Sequence, residues 1–89
     1  MHIGTFLQSD EEIPDGPLKG VSVGDIIWRK NVRLDKVSGQ IGDSYPVEVM
    51  GIIALQRKIY IIEWRGDNRF GSDEIYPKGA IGSEGNKLW

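Results

Sequence analysis

The chain has no cysteine, and its single histidine, His2, is the second of 89 residues. Without cysteine there are no disulfides and no thiolate metal ligands, which fits a reducing compartment and leaves the fold to packing alone. One terminal histidine allows neither a nucleophile–histidine pair nor a histidine metal site within one chain. No apolar run approaches the roughly 20 residues of a membrane span, and the N-terminus lacks the basic region and apolar stretch of a signal peptide. The expected location is therefore cytoplasmic, with no membrane partner. Charge of one sign is missing too: 11 basic against 13 acidic residues leave a formal −2, so no broad cationic face is expected. The glycines are scattered at turns rather than gathered into a phosphate-binding loop. Acidic neighbours such as Asp73-Glu74 point apart in extended chain, and Asp10-Glu11-Glu12 reads as a solvated run. No catalytic residue, metal site or cofactor is assigned.

What is present is a β-rich centre. A chain of 89 residues is one domain, near the size at which only about 60–65% of the unfolded surface can be buried, so its core must be compact. The organising stretch runs from Tyr45 to Tyr76. Two strand-length apolar runs, Val47–Ile53 and Ile59–Trp64, are rich in Val, Ile and Tyr and flank the polar segment 54–58. Arg65-Gly66-Asp67-Asn68 supplies residues that tolerate positive φ, so Arg69–Ser72 is expected to fold back as a further strand. In the first run Val47, Val49, Gly51 and Ile53 share the better core face, and the mid-strand Gly51 signals a bulge. In the second both faces are apolar, which marks the central strand.

Upstream, within Val21–Lys30, the pair Gly24-Asp25 opens a β-rich run. Period two places Ile26 and Trp28 on one face and Ile27 and Arg29 on the other. Residues 31–44 turn polar and glycine-rich and read as a long loop. Residues 1–20, with two prolines and the acidic run, read as a partly disordered arm in which Ile3, Phe6 and Leu7 are candidate anchors. The barrel is expected over residues 21–81 and a mobile tail over 82–89. Gly71–Pro77 predicts a single 3₁₀ turn followed by a short closing strand. The expected fold is all-β: a small barrel of five antiparallel strands near Asp25–Lys30, Val47–Ile53, Ile59–Trp64, Arg69–Ser72 and Ile75–Pro77.

These stretches resemble the SH3-like barrels, and the Tudor type among them. The resemblance is carried by Gly24-Asp25-Ile26-Ile27-Trp28, Tyr45-Pro46-Val47-Glu48-Val49, Ile61-Ile62-Glu63-Trp64-Arg65-Gly66-Asp67 and the closing Glu74-Ile75-Tyr76-Pro77, and it covers residues 23–78. It implies an aromatic cage for a methylated cation at Trp28, Tyr45, Trp64 and Phe70, with Asp67 or Asn68 as the polar member. Cation–π attraction is worth about 0.5–2 kcal/mol per ring. Burying about 150–250 Å² of ring at roughly 25 cal/mol/Å² is worth more, so the core reading leads for Trp64 and Phe70 and neither reading leads for Trp28 and Tyr45. The expected function is a non-catalytic binding module for a peptide or methylated cation. Trp28 and Tyr45 would line its site, with Trp64 and Phe70 beneath them.

Two other readings stand beside it. Arg29, Lys30, Arg33 and Lys36 around the first loop, with Arg57, Lys58, Arg65 and Arg69 at later hairpin ends, could present cations and aromatics to a nucleic-acid backbone. The segments Gly24–Lys30 and Glu74–Ile81 also resemble the plasmid-borne type II dihydrofolate reductases, homotetramers with a central pore. That likeness implies pore-lining roles for Arg29, Glu74, Ile75 and Tyr76. Glu74 departs from it, standing where that family has glutamine. Carboxylates around a channel that must admit two anions would repel them, so no dihydrofolate reduction is expected, while the likeness leaves a homo-oligomer as an open alternative.

Overall fold

The computed structural model describes residues 4–31, 33–37, 39 and 42–77. They form β1 (Thr5–Phe6), β2 (Ile26–Lys30), β3 (Arg33–Asp35), β4 (Tyr45–Ala54), β5 (Tyr60–Arg65) and β6 (Phe70–Ile75), with one 3₁₀ turn at Gln56–Lys58. The described residues contain no α-helix, and so none long and apolar enough to cross a membrane. Every pairing is antiparallel, in the order β3-β2-β4-β5-β6 with β1 added to β4. The sheet curls strongly into a half-barrel.

β4 is the spine. Its first half carries β2, from Ile26 opposite Glu48 to Arg29 opposite Tyr45, and its far end carries β1 at Ile53 and Ala54. Along its other edge β5 pairs over nearly the whole length, with a register shift between Val49 and Gly51. That is where the mid-strand glycine predicts a bulge. A Cβ on Gly51 would lie 2.5 Å from Glu63 Oε1, so a larger residue there would have to turn the exposed Glu63 carboxylate aside. The bulge also rotates the buried face. Val47 and Val49 point inward, and the next inward position goes to Ile52 rather than to Ile53, as unbroken alternation predicts.

Pro46 sits inside this strand without cost. Val49 exchanges hydrogen bonds with Gly24 and Asp25 on the β2 side, at 2.8 and 2.9 Å. By alternation Val47 and Tyr45 bond toward β2, and Pro46 faces the other way, beyond the Glu48–Arg65 pair where β5 ends.

The core lies inside the curl, built from Ile27, Leu34, Val47, Val49, Ile52, Ile62, Trp64 and Ile75 of the strands. The segment expected to be an arm completes it. Ile13 and Leu18 are 1% and 0% exposed, and Ile13 is held by its N–H to the Val21 carbonyl at 2.9 Å and by the Gly20 N–H to its own carbonyl at 2.8 Å. Phe6, read as an anchor, is 59% exposed although its backbone pairs with β4. Two isolated aliphatics on a looped segment thus join the buried cluster of the strands.

Three further expectations change. The long loop contains β3, whose Leu34 is fully buried opposite Arg29; three residues are too few to show a period. The two short strands expected near Arg69–Ser72 and Ile75–Pro77 are one strand, β6, without the intervening 3₁₀ turn, which is found instead at Gln56–Lys58. The alternation of β6 was hidden because an aspartate, Asp73, occupies one of its inward positions. The tail at 82–89, His2 and Ile3 lie outside the described residues.

Candidate functional site

Arg29 organises the inner face near one end of the curl. It reaches Asp73 with two bonds, Nε to Oδ2 at 2.7 Å and Nη2 to Oδ1 at 3.1 Å, and donates Nη1 to the Tyr45 hydroxyl at 2.8 Å. Its guanidinium carbon lies 4.7 Å from the centre of the Trp64 ring, and Trp64 Nε1–H also donates to Asp73 Oδ2, at 3.2 Å. Tyr45 meets Trp64 edge-on, with ring centres 6.3 Å apart. The Asp73 bond, ahead of the opposing effect of burial, raises the Arg29 pKa above its ordinary value. Arg29 and Asp73 side chains are 15% and 12% exposed, so the pair is largely withdrawn from solvent. Gly71 makes room for this cluster. It stands opposite Trp64 on β5, and a Cβ there would fall 2.4 Å from Trp64 Cζ2.

The four aromatics read as one cage are therefore divided between two faces. Tyr45 and Trp64 belong to the inner cluster, and the chain's own cations occupy them: Arg29 over Trp64, and the exposed Arg69 over Tyr45 at 5.0 Å. Trp28 directly precedes Arg29 in β2 and so faces outward, half-buried, opposite the exposed Pro46. Phe70, expected beneath the site, is 79% exposed on the outer face. The pattern of β6 explains this, because Gly71, Asp73 and Ile75 take the inward positions.

The outer face carries the exposed apolar residues Ile26, Met50 and Phe70. Between β2, β4 and the β5–β6 turn lies a groove of about 480 Å³ lined by Ile26, Tyr45, Pro46, Val47, Glu48, Arg65, Gly66 and Asp67. Glu48 and Arg65 face each other across the strands and pair at 2.7 Å. Asp67 is exposed at the turn and has no hydrogen-bond or ion-pair partner among the described residues. A second hollow of about 360 Å³ is lined by Met50, Glu63, Trp64, Phe70, Gly71 and Ser72.

Most of the cations read as nucleic-acid contacts are engaged. Lys30 pairs with Asp43 at 3.7 Å, Arg33 with Asp35 at 3.8 Å and Lys58 with Asp15 at 3.2 Å. Lys36 donates to the Lys19 carbonyl, and Arg57 is exposed at the β4–β5 turn. The residues read as pore-lining do not share a face. Arg29 and Ile75 point inward, whereas Glu74 is exposed and accepts the Tyr76 hydroxyl at 2.6 Å. That bond raises the Tyr76 pKa. Among the described residues no group of three or more His, Cys, Asp or Glu could hold a metal ion.

Sequence reasoning missed Ile26, Pro46 and Glu48 as groove residues, read Arg65 only as a hairpin-end cation, and missed Asp73 as the partner of Arg29. Period two places Ile26 with Trp28, which is the one available signal for the first. The others depend on cross-strand register. No protein-family model, curated protein or solved structure matches the chain.

Proposed function

We propose that the protein is a non-catalytic binding module, of the SH3-like and Tudor-like kind that the sequence resembles, and that it takes a cationic side chain of a peptide partner into the groove between β2, β4 and the β5–β6 turn. The observation that carries this is the pairing of charges there: Glu48 is satisfied by Arg65, while Asp67, which lines the same groove as Tyr45, has no partner among the described residues. A lysine or methylated lysine would place its charge against Asp67 and its stem along Ile26 and Pro46. Tyr45 supports the reading because it is already fixed, by Arg29 at its hydroxyl and by Trp64 at its edge. A ring held in place loses little conformational freedom on binding. The exposed Arg69 would be the internal competitor, displaced from Tyr45 as the ligand cation arrives.

The test is calorimetry with a panel of peptides carrying lysine, trimethyllysine or norleucine at one position. Binding of the cationic members, weakened by salt and by Asp67→Asn and strengthened by Arg69→Ala, is the expected result. Equal affinity for norleucine, or indifference to Asp67→Asn, would sink the reading.

A further inference from the structure

The sheet has two ends, and they are treated differently. At one end β3 is three residues long and flanks its single aliphatic with Arg33 and Asp35, which discourages pairing with another chain. At the other end β6 runs for six residues in unbroken register with β5, without proline, lysine or bulge. Its hydrogen-bond phase can be read from the turn. Gly66 N–H donates to the Arg69 carbonyl at 2.8 Å, so those two form a bonded pair and alternation directs the backbone groups of Gly71, Asp73 and Ile75 toward β5. The N–H and C=O groups of Phe70, Ser72 and Glu74 then point away from the sheet. Among the described residues they have no backbone partner. An exposed aromatic and an exposed carboxylate stand at the two ends of this open row.

A second copy of the chain fits the edge poorly. Pairing β6 with itself about Ser72 sets Glu74 against Phe70 of the second copy, twice. Pairing about Asp73 sets the two Asp73 carboxylates against each other, a destabilising like-charge pair. A partner strand with complementary residues avoids both.

We propose that the open edge of β6 binds an extended partner peptide, which joins the sheet as an antiparallel strand with a basic side chain opposite Glu74 and an apolar one opposite Phe70. The recognised pattern, read from the peptide's N-terminus, is basic-x-Ser/Thr-x-apolar. Main-chain bonds to Phe70, Ser72 and Glu74 supply affinity, and the two end residues supply direction and register. The site is separate from the groove and does not depend on it.

The probe is the acetylated, amidated peptide Gly-Lys-Val-Thr-Val-Phe-Gly, with amide exchange and chemical shifts followed by NMR. Slowed exchange at the Phe70, Ser72 and Glu74 amides is expected. Ser72→Pro removes an outward N–H, so it should fold normally and bind about tenfold more weakly or worse. Glu74→Lys should lose the probe and accept its Lys-to-Glu counterpart. Unchanged exchange at millimolar peptide would overturn the proposal, as would protection confined to groove residues such as Glu48 and Arg65. A Ser72→Pro chain that cannot fold would show that this N–H serves β5, and protection of the same amides by dimerisation without peptide would assign the edge to a second copy.

Discussion

Replacing Asp73 by alanine removes the tie between two strands that the sheet order keeps apart. β2 and β6 are separated by three strand steps, about 14 Å in a flat sheet at about 4.8 Å per step, yet Arg29 meets Asp73 at 2.7 Å. The pair therefore exists only while the sheet is curled. Loss of Asp73 would leave the Arg29 guanidinium largely buried without its bidentate acceptor, and Trp64 Nε1–H without its partner. Breaking a fully buried pair costs about 3–5 kcal/mol. Since both side chains retain slight exposure, about 2–4 kcal/mol is expected. A chain of 89 residues at about 0.05–0.15 kcal/mol per residue has about 4–13 kcal/mol in total, so the loss is a large fraction of stability. In urea, with m near about 1 kcal/mol/M, the midpoint should fall by about 2–4 M, followed by Trp emission. Asp73→Asn, which keeps one acceptor, should lie between. The double replacement Arg29→Met with Asp73→Leu should recover at least half of the loss, because no buried charge is then left alone. A loss below about 1 kcal/mol for Asp73→Ala would refute the reasoning, showing that solvent screens the pair and that aliphatic packing alone holds the curl.

Leu18→Ala should cost about 2–4 kcal/mol in the same urea assay, as expected of a fully buried leucine, while Phe6→Ala costs little; the reverse order would return residues 4–20 to the status of an arm. Gly71→Ala drives a methyl into the Trp64 indole and should destabilise by about 1–3 kcal/mol with altered near-ultraviolet dichroism. Arg57 and Lys58 both hold φ at 61°, a conformation costing about 1–2 kcal/mol in a residue with a Cβ. After the entropy penalty of glycine, about 0.5–1 kcal/mol, each replacement by Gly should stabilise by about 0.5–1 kcal/mol, and a loss would contradict the strain. Burial, and then Asp15, raise the Tyr60 pKa against an opposing effect of Lys58. The folded state thus disfavours the phenolate, so this stability is complete below the ordinary tyrosine pKa of about 10 and is lost as pH rises through the folded value. Tyr60→Phe should flatten the urea midpoint against pH in that range, and an unchanged slope would place its origin elsewhere.

Composition and local pattern by themselves determined the all-β class, the strand-length runs around Tyr45–Trp64, the turn at Gly66–Asn68 and the bulge at Gly51. Each rests on neighbours in sequence, because alternation, β-branching and positive-φ residues act within a few positions of one another. Tertiary structure alone decided the rest. That Ile13 and Leu18 close the core, that Leu34 makes β3 a buried strand, and that β6 is one strand all depend on surfaces supplied from elsewhere in the chain. The site shows the limit most clearly. Trp28 and Arg29 are adjacent in sequence and fall on opposite faces, while Arg29 and Asp73, 44 residues apart, share two hydrogen bonds. Which aromatic is core and which is surface followed from register and curl, and those are set by the packing of whole strands against each other, where a one-residue shift reverses every face.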